Sequence, residues 1–221
     1  MRLILVGPPG SGKGTQAKLL SERLGLVHIG TGDILREAIR LGTPAGRLAE
    51  PFVKGGKLVP DDLVNELVAD RFRREDRPEL FVMDGYPRTL AQAASFDQVL
   101  RQQFLDLSGV VLLQVDDDEI VRRISGRWSC PNPSCLATYH ATAKPPRTTG
   151  VCDLCHTPLR QREDDREDTV RRRLEVYKRN TMELIPHYRA QKLLHEVSGE
   201  GDIEEIYKRM VGALKGPAPA C

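Results

Sequence analysis

The sequence has few aromatic residues, almost no net charge and no long apolar segment. Aromatic side chains make up 5% of the 221 residues, and the formal net charge at pH 7 is +2. Both values argue against a nucleic-acid partner, because such proteins are typically basic and offer aromatic platforms to bases. No run of 18 apolar residues occurs, so we expect no membrane partner. The first residues also lack the apolar stretch of a secretory signal, which favours a cytoplasmic location.

Short apolar runs alternate with segments of helical periodicity along most of the chain. The runs predict five strands, at residues 3–6, 26–29, 80–83, 109–115 and 193–197. The periodic segments predict helices at residues 13–24, 32–41, 61–75, 89–106, 116–126, 163–189 and 202–214. Pro186 is expected to kink or end the sixth helix. This alternation predicts an α/β fold with a five-stranded parallel sheet.

Two stretches do not follow this alternation. Residues 42–60 are rich in glycine and proline and leave little room for long elements. Residues 127–161 contain one tryptophan, four cysteines and five prolines with almost no helical periodicity, which indicates an inserted small module. The tail from residue 216 onward is rich in proline and alanine, and we expect it to be disordered.

A glycine-rich loop, GPPGSGKGT at residues 7–15, connects the first strand to the first helix. Glycines allow successive backbone N–H groups to point at one anion, and the helix N-terminus adds its dipole. Lys13 then reaches the β- and γ-phosphates of a nucleotide. In the general phosphate-loop pattern a hydroxyl residue directly follows the lysine, whereas here Gly14 intervenes before Thr15. A tight turn with a chance lysine is the alternative, but the strand–loop–helix context favours the phosphate site.

The loop resembles that of the nucleoside monophosphate kinases, and of the adenylate kinase family in particular. Three further stretches share this resemblance: TGDILR at 31–36, DGYPR at 84–88, and REDD at 162–165 with TVRRR at 169–173. The resemblance covers residue 1 to about residue 214 and points to the long bacterial form with a zinc-binding lid. It implies reversible phosphoryl transfer from MgATP to AMP, with ADP as the product, by a monomer.

The resemblance also implies a division of the chain. A P-loop core would comprise residues 1–29, 60–126 and 162–221. Residues 30–59 would form a small helical insertion that binds the monophosphate, and residues 127–161 would form a zinc-ribbon-like lid. Closure of this lid would exclude water and suppress hydrolysis of the donor.

Phosphoryl transfer between two nucleotides requires positive groups where two polyanions meet. The resemblance assigns the phosphates to Lys13, Arg88, Arg127, Arg162 and Arg173, with Asp84 ordering magnesium. It assigns ATP to Gly10, Ser11, Gly12, Lys13, Gly14, Thr15, Arg123, Arg127, Thr138, Tyr139, His140 and Gly201. It assigns AMP to Thr31, Arg36, Lys57, Leu58, Val59, Gly85, Tyr86, Pro87, Arg88, Gln92, Arg162 and Arg173.

Several of these residues have a simpler explanation. Gln92 lies three residues after Thr89, so it also fits a capping box. Asp84 could be a turn aspartate. Asp164 and Asp165 are expected to take part in lid closure, although helix capping would explain them almost as well. Other arginines of the charged segment after residue 166 are expected to be solvated.

Four cysteines occur with the spacing Cys130-x4-Cys135-x16-Cys152-x2-Cys155. Two close pairs separated by a loop favour a tetrahedral thiolate site over buried or oxidised cysteines, with zinc as the default metal and iron or cobalt as alternatives. In the zinc-bearing lids of the resembling family, two residues usually separate the first pair. Because four do so here, His156 or Asp153 could replace a thiolate. Four protein ligands would make the metal structural.

Two other functions are compatible with parts of this pattern. A kinase for another nucleoside monophosphate would share the loop, but the UMP/CMP relatives tend to carry alanine where Thr31 stands and to have a short lid. A zinc-ribbon nucleic-acid-binding protein with a degenerate nucleotide fold would share the cysteines, but the charge and aromatic content do not favour it.

Overall fold

A parallel sheet forms the centre of the protein in the computed structural model, which describes residues 1–216. The strands within this range are β1 (Arg2–Val6), β2 (Val27–Gly30), β3 (Phe81–Asp84), β4 (Gly109–Gln114), β5 (Arg127–Ser129), β6 (Thr138–His140) and β7 (Leu194–Ser198). Five of them form the sheet in the order β2-β3-β1-β4-β7, with every neighbouring pair parallel. Strands β1 and β4 are almost entirely buried, as is typical of strands covered on both faces.

Helices cover both faces of this sheet. The helices within the described range are α1 (Lys13–Leu24), α2 (Thr31–Arg40), α3 (Pro44–Lys54), α4 (Asp61–Arg73), α5 (Leu90–Gln102), α6 (Asp117–Ser125), α7 (Glu167–Val176), α8 (Leu184–Ala190) and α9 (Ile203–Lys215). Alternate residues of β1 enter two separate cores: Ile4 and Val6 pack with α4 and α5, and Leu3 and Leu5 pack with α1 and α9. The predicted five-stranded parallel α/β fold is therefore confirmed.

The expectation that residues 42–60 lack a long element is wrong, because α3 spans 11 of them. Pro44 and Gly46, which suggested a loop, are compatible with this helix. Thr43 caps the N-terminus by accepting a hydrogen bond from the Gly46 N–H at 3.0 Å, and Pro44 occupies the first turn. A Cβ on Gly46 would lie 2.0 Å from the Ala38 carbonyl oxygen, so this glycine permits α3 to pack closely on α2.

The prediction of one long helix over residues 163–189 is also wrong. This stretch consists of a 3-10 turn at Glu163–Asp165, then α7, then a π-helical turn at Tyr177–Thr181, then α8. The N–H of Met182 bonds to the carbonyl of Tyr177, which is the wider spacing of a π-helix. Pro186 lies in the first turn of α8, where a proline interrupts no hydrogen bond of that helix.

Strands β5 and β6 form a separate antiparallel pair. They lie within residues 127–161, and α2 and α3 lie within residues 30–59. The assignment of these segments as lid and monophosphate-binding insertion stays a prediction. The expected disorder of the tail concerns residues 217–221, which lie outside the described range. In the part of the chain that the structure describes, no helix is long and apolar enough to cross a membrane.

Candidate active site

The glycine-rich loop lies between β1 and α1 at the carboxyl end of the sheet. Gly10 and Gly12 have φ values of 81° and 94°, a region that favours glycine, and a Cβ on Gly10 would lie 2.6 Å from the side chain of Ile124. The Lys13 ammonium donates hydrogen bonds to the carbonyls of Gly7 and Pro8, both at 2.8 Å. Burial lowers the pKa of Lys13 to about 8, although the charge of Asp84 opposes this shift.

Asp84 ends β3 beside this loop. A Cβ on Gly14 would lie 3.1 Å from Asp84 Oδ2, so the carboxylate borders the start of α1. Burial alone would raise the pKa of Asp84, but His28, Lys13 and Arg88 together lower it below its ordinary value. Nε2 of His28 lies 3.7 Å from Asp84 Oδ2. A carboxylate held ionised next to the phosphate loop is suited to a hydrated divalent cation.

Several cationic side chains converge on the same cleft. Burial and the neighbouring Arg173 lower the pKa of Arg88 to about 10, and burial and Arg36 lower the pKa of Arg162 to about 10. Arg127 and Arg173 act electrostatically on Lys13 as well. Six cations belong to this group, which we call the cationic cluster: Lys13, Arg36, Arg88, Arg127, Arg162 and Arg173. Repulsion within the cluster is relieved when an anion binds, so the cleft is built for a polyanion.

Four carboxylates hold the cationic cluster in place. Nε of Arg127 donates to Asp165 Oδ2 at 2.8 Å, and Nη1 of Arg173 donates to Asp164 Oδ2 at 2.9 Å. Asp33 accepts a hydrogen bond from Arg36 at 2.6 Å and lies 4.0 Å from Arg162. The fourth carboxylate is Asp84. Sequence analysis did not identify Asp33 or His28 as part of this site. Asp33 lies three residues before Arg36 within the TGDILR stretch, so its pairing had a local signal. His28 had none, because it meets Asp84 from a neighbouring strand.

A second wall of the cleft combines the loop after β3 with the start of α2. The Thr31 hydroxyl donates to the Gly85 carbonyl at 2.9 Å, and Nε of Arg88 donates to the same carbonyl at 2.8 Å. The peptide bond between Tyr86 and Pro87 is cis.

The segment after α3 completes this wall. Lys57 is exposed, Leu58 is half-buried and Val59 is buried. The preceding Gly56 packs against Arg173: a Cβ there would lie 3.1 Å from the arginine side chain. Six of the residues predicted to bind AMP therefore lie together in this cleft: Thr31, Arg36, Gly85, Arg88, Arg162 and Arg173. Their role in binding AMP stays a prediction.

Gln92 is buried at the start of α5. Thr89 caps this helix by accepting from the Gln92 N–H at 3.1 Å, so the first half of the capping box is present. The second half is not, because the Gln92 carbonyl oxygen Oε1 accepts from the N–H of Arg88 at 2.7 Å and not from that of Thr89. Its amide nitrogen donates to Asp61 at 2.7 Å.

Two of the residues predicted to surround the donor base, Arg123 and Gly201, lie close to each other. Arg123 donates to Glu119 at 2.6 Å and to the Gly199 carbonyl at 2.9 Å. An open cavity of about 430 Å³ is lined by Arg123 and Gly201, among others.

The other three predicted residues, Thr138, Tyr139 and His140, form strand β6, where Nε2 of His140 lies 3.4 Å from the Arg122 carbonyl oxygen. Nδ1 of His140 accepts from the backbone N–H groups of Thr142 and Ala143, which fixes its ring orientation. The Tyr139 hydroxyl is directed towards the cysteines and lies 3.5 Å from Cys152 Sγ. Tyr139 can therefore border a nucleotide only with its backbone or ring.

The four cysteine sulfurs form one cluster, all within 4.8 Å of one another. Sγ of Cys130 lies 3.3 Å from that of Cys155, and Sγ of Cys135 lies 3.6 Å from that of Cys152. Zinc–sulfur bonds of ~2.3 Å in a tetrahedron place sulfurs roughly 3.8 Å apart, so the donor set fits a metal of that size. Among the described residues, neither Asp153 nor His156 belongs to this cluster, and Asp153 instead accepts from the Arg147 N–H at 2.9 Å.

The longer spacing of the first pair is accommodated by a turn at Asn132. Its carbonyl accepts from the N–H groups of Cys135 and Leu136, both at 3.0 Å, and its side chain accepts from Ser134 N–H at 3.0 Å. Hydrogen bonds from Thr157 lower the pKa of Cys155 to about 6, which favours the thiolate that a metal requires.

A phosphate loop that faces a half-buried cationic cluster, at the carboxyl ends of parallel strands, defines a P-loop α/β protein built for phosphoryl transfer. The family model for adenylate kinase matches residues 5–193. An adenylate kinase of Acidothermus cellulolyticus is 47% identical over 215 residues, covering 97% of this chain and 98% of that protein. Adenylate kinases of Streptomyces avermitilis and Archaeoglobus fulgidus are 46% and 44% identical, each covering 97% of this chain and, respectively, 97% and 98% of the relative. The chain belongs to the adenylate kinase family, and the predicted resemblance is confirmed.

Proposed function

We propose that this chain catalyses reversible transfer of a phosphoryl group from MgATP to AMP, giving two molecules of ADP. Membership of the adenylate kinase family supports the reaction. The observation of the structure that carries it is the cationic cluster, in which six cations share four carboxylates beside the phosphate loop. Such an excess of positive charge is what two nucleotide phosphates require when they meet in one cleft.

The donor binds at the phosphate loop. Backbone N–H groups of residues 10–15 surround its β- and γ-phosphates, and Lys13 exchanges its two carbonyl partners for phosphate oxygens. Thr15 and Asp84 would hold magnesium and its waters, and the cation would neutralise charge that develops on the phosphates. Arg123, Thr138, Tyr139, His140 and Gly201 surround the donor base.

The acceptor binds against the wall formed by α2, the segment after α3 and the loop after β3. Arg36, Arg88 and Arg173 contact its phosphate, and Thr31, Gly85 and Gln92 contact the nucleoside. The remaining residues of this wall are Lys57, Leu58, Val59, Tyr86 and Pro87. The acceptor phosphate is already ionised and nucleophilic, so no general base is needed.

Arginines Arg88, Arg127, Arg162 and Arg173 stabilise the charge of the transferred group. Their planar guanidinium groups bind phosphate oxygens in pairs. Asp164 and Asp165 keep Arg173 and Arg127 ordered when no nucleotide is bound. The arginine side chains are therefore already ordered when substrate binds and exchange carboxylate for phosphate partners. This order lowers the entropic cost of aligning them.

The lid, residues 127–161, closes over both nucleotides and excludes water. Four thiolates at Cys130, Cys135, Cys152 and Cys155 hold a structural zinc ion, since four protein ligands leave no open coordination position. Iron and cobalt are the alternative metals for the same four ligands. We further propose a monomer that requires neither nucleic acid nor a membrane.

A phosphotransfer assay with MgATP and a panel of AMP, GMP, CMP and UMP tests this function by following diphosphate production. We expect turnover with AMP, and we expect Lys13→Met to lower kcat about 10³-fold, as for loss of a group that stabilises transition-state charge. Lys18→Met is the matched control, because Lys18 is exposed on the same helix. Turnover with another monophosphate would overturn the acceptor assignment, and no turnover with any would overturn the function.

A further inference from the structure

The side chain of Gln92 is held between two groups of opposite hydrogen-bonding character. Its Nε2 donates to Asp61 Oδ1 at 2.7 Å, and its Oε1 accepts from the Arg88 N–H at 2.7 Å. The Tyr86 hydroxyl lies 2.8 Å from Asn65 Oδ1 and 3.1 Å from the backbone carbonyl oxygen of Gln92, so the backbone of Gln92 is packed against it as well. Gln92 is 2% exposed, which leaves it little freedom to rotate.

These partners determine which way the amide faces. A carboxylate only accepts hydrogen bonds and a backbone N–H only donates them, so a flipped amide would place oxygen against oxygen and hydrogen against hydrogen. The second carboxylate oxygen of Asp61 accepts from the Thr89 hydroxyl at 2.7 Å, which orients Asp61 in turn. Asp61, at the first position of α4, thus fixes the amide of a residue on α5.

We propose that Asp61 is a positioning residue that selects the acceptor base through Gln92. This inference rests on the proposed function, in which Gln92 contacts the nucleoside of the acceptor. In the observed orientation, Gln92 has one further N–H to donate and one lone pair with which to accept. That pair complements an adjacent ring nitrogen and exocyclic amino group, as adenine presents at N1 and N6.

Bases with the opposite pattern are rejected by the same arrangement. Hypoxanthine has the size and shape of adenine but carries a carbonyl oxygen at position 6 and an N–H at position 1. To bind it, the Gln92 amide would have to flip and abandon its bonds to Asp61 and Arg88. Leaving such buried groups unpaired is a strong basis for discrimination.

The test compares AMP with IMP as acceptors in steady-state assays of the full-length protein. For Asp61→Ala we expect the ratio of kcat/KM for AMP to that for IMP to fall about tenfold, mainly through a higher KM for AMP. A ratio is used because general damage to the enzyme lowers both values together. Asp62→Ala is the control, since Asp62 is exposed on the same first turn of α4, and it leaves the ratio unchanged.

A double-mutant cycle tests whether Asp61 acts through Gln92. Gln92→Leu alone is expected to lower the AMP/IMP ratio, and adding Asp61→Ala to that variant should lower it no further. Asp61→Asn preserves the shape of the side chain and tests the same point if the alanine variant does not fold. Because an amide at this position can meet Gln92 in either orientation, we expect the ratio to fall at least about threefold.

An AMP/IMP ratio within twofold of the wild type in a folded Asp61 variant would overturn the positioning role. A further fall on adding Asp61→Ala to Gln92→Leu would overturn the route through Gln92. Either result with an active wild-type enzyme leaves the proposed function intact. Failure of the wild type to phosphorylate AMP would instead contradict the proposed function itself.

Discussion

The guanidinium of Arg127 forms a two-point hydrogen-bonded pair with the carboxylate of Asp165, whose side chain is completely buried. Arg127 begins β5 and Asp165 lies in the 3-10 turn before α7, so the pair joins the two ends of the segment that we propose is the lid. Burial opposes the charge of Arg127, yet the hydrogen bond and charge of Asp165 raise its pKa above the ordinary value. The carboxylate is thus the counterion of an arginine that we propose binds phosphate.

Asp165→Ala should destabilise the folded protein. It leaves the arginine without its partner in a largely desolvated position, and breaking a buried pair costs ~3–5 kcal/mol. Because the Arg127 side chain keeps 23% of its exposure, we expect the lower end, about 3 kcal/mol. Urea unfolding followed by circular dichroism measures this change in the free energy of unfolding. Glu163→Ala provides the comparison, as Glu163 is exposed and 3.8 Å from Lys54, and it should produce no measurable change.

The pKa of Lys13 predicts the pH dependence of ATP use. Burial lowers this pKa to about 8, so in the free enzyme the ammonium loses its proton as the pH rises through about 8. ATP phosphates favour the protonated form. The value of kcat/KM for ATP should therefore be constant below about pH 7 and fall by up to tenfold per pH unit above 8.

Phosphorus NMR over pH 6.5–9.5 measures this fall in kcat/KM directly, without a coupling enzyme. In Lys13→Met the residual kcat/KM should no longer fall above pH 8, because no titrating amine remains at that position. A wild-type profile that stays flat up to pH 9.5 would show that Lys13 keeps its proton in the free enzyme, and a decline that persists in Lys13→Met would assign it to another group.

The strands were predictable because each is an apolar run followed by a turn, and burial on both faces makes such runs continuous. Helix α3 was not predictable, because the reason for Gly46 within it is its close contact with Ala38 on α2. That contact is a tertiary relationship, which the local sequence does not show. The break at residues 177–181 has no distinct sequence signal either, since its hydrogen bonds differ from those of an α-helix by one residue in spacing.

The site was predictable where one segment contains the whole motif, as in the phosphate loop. The site was not predictable where it depends on pairs of residues that are far apart in the chain. Asp61 reaches Gln92 across 31 residues and Asp165 reaches Arg127 across 38, so each pairing depends on how the helices and the lid pack. Sequence analysis accordingly identified the cations and named Asp84, Asp164 and Asp165, but it did not give the partner of each carboxylate. It missed the roles of Asp33 and Asp61.

The cysteine cluster should contribute to stability more than to chemistry. Cys152→Ser removes one of the four proposed zinc ligands from a segment whose small core consists mainly of the cysteines, Tyr139 and two aliphatic residues. We expect a clear fall in Tm with activity at low temperature largely retained. Differential scanning calorimetry with and without added zinc, and assays at 10 °C, measure the two effects. His156→Ala, adjacent to a ligand but outside the cluster, should change neither. Loss of activity at unchanged Tm would contradict a structural role.

The Tyr139 hydroxyl should govern how firmly the metal is held. It accepts from the Asp153 N–H at 2.8 Å and lies 3.5 Å from Cys152 Sγ, so its proton is directed at that sulfur. A hydrogen bond to a thiolate offsets its charge and fixes its position, and loss of such partners typically weakens metal binding ~10–100-fold. Tyr139→Phe keeps the ring and removes only this bond.

Zinc release to a chromogenic chelator should therefore be about tenfold faster in Tyr139→Phe than in the wild type. Tyr207→Phe is the matched control: its ring packs on Arg23, on the α1–α9 side of the sheet, and it should release zinc at the wild-type rate. Equal rates in all three proteins would mean that the hydroxyl serves only the Asp153 backbone. Faster release from Tyr139→Phe alone would show that this hydroxyl strengthens metal binding, so that metal occupancy depends on a side chain of β6.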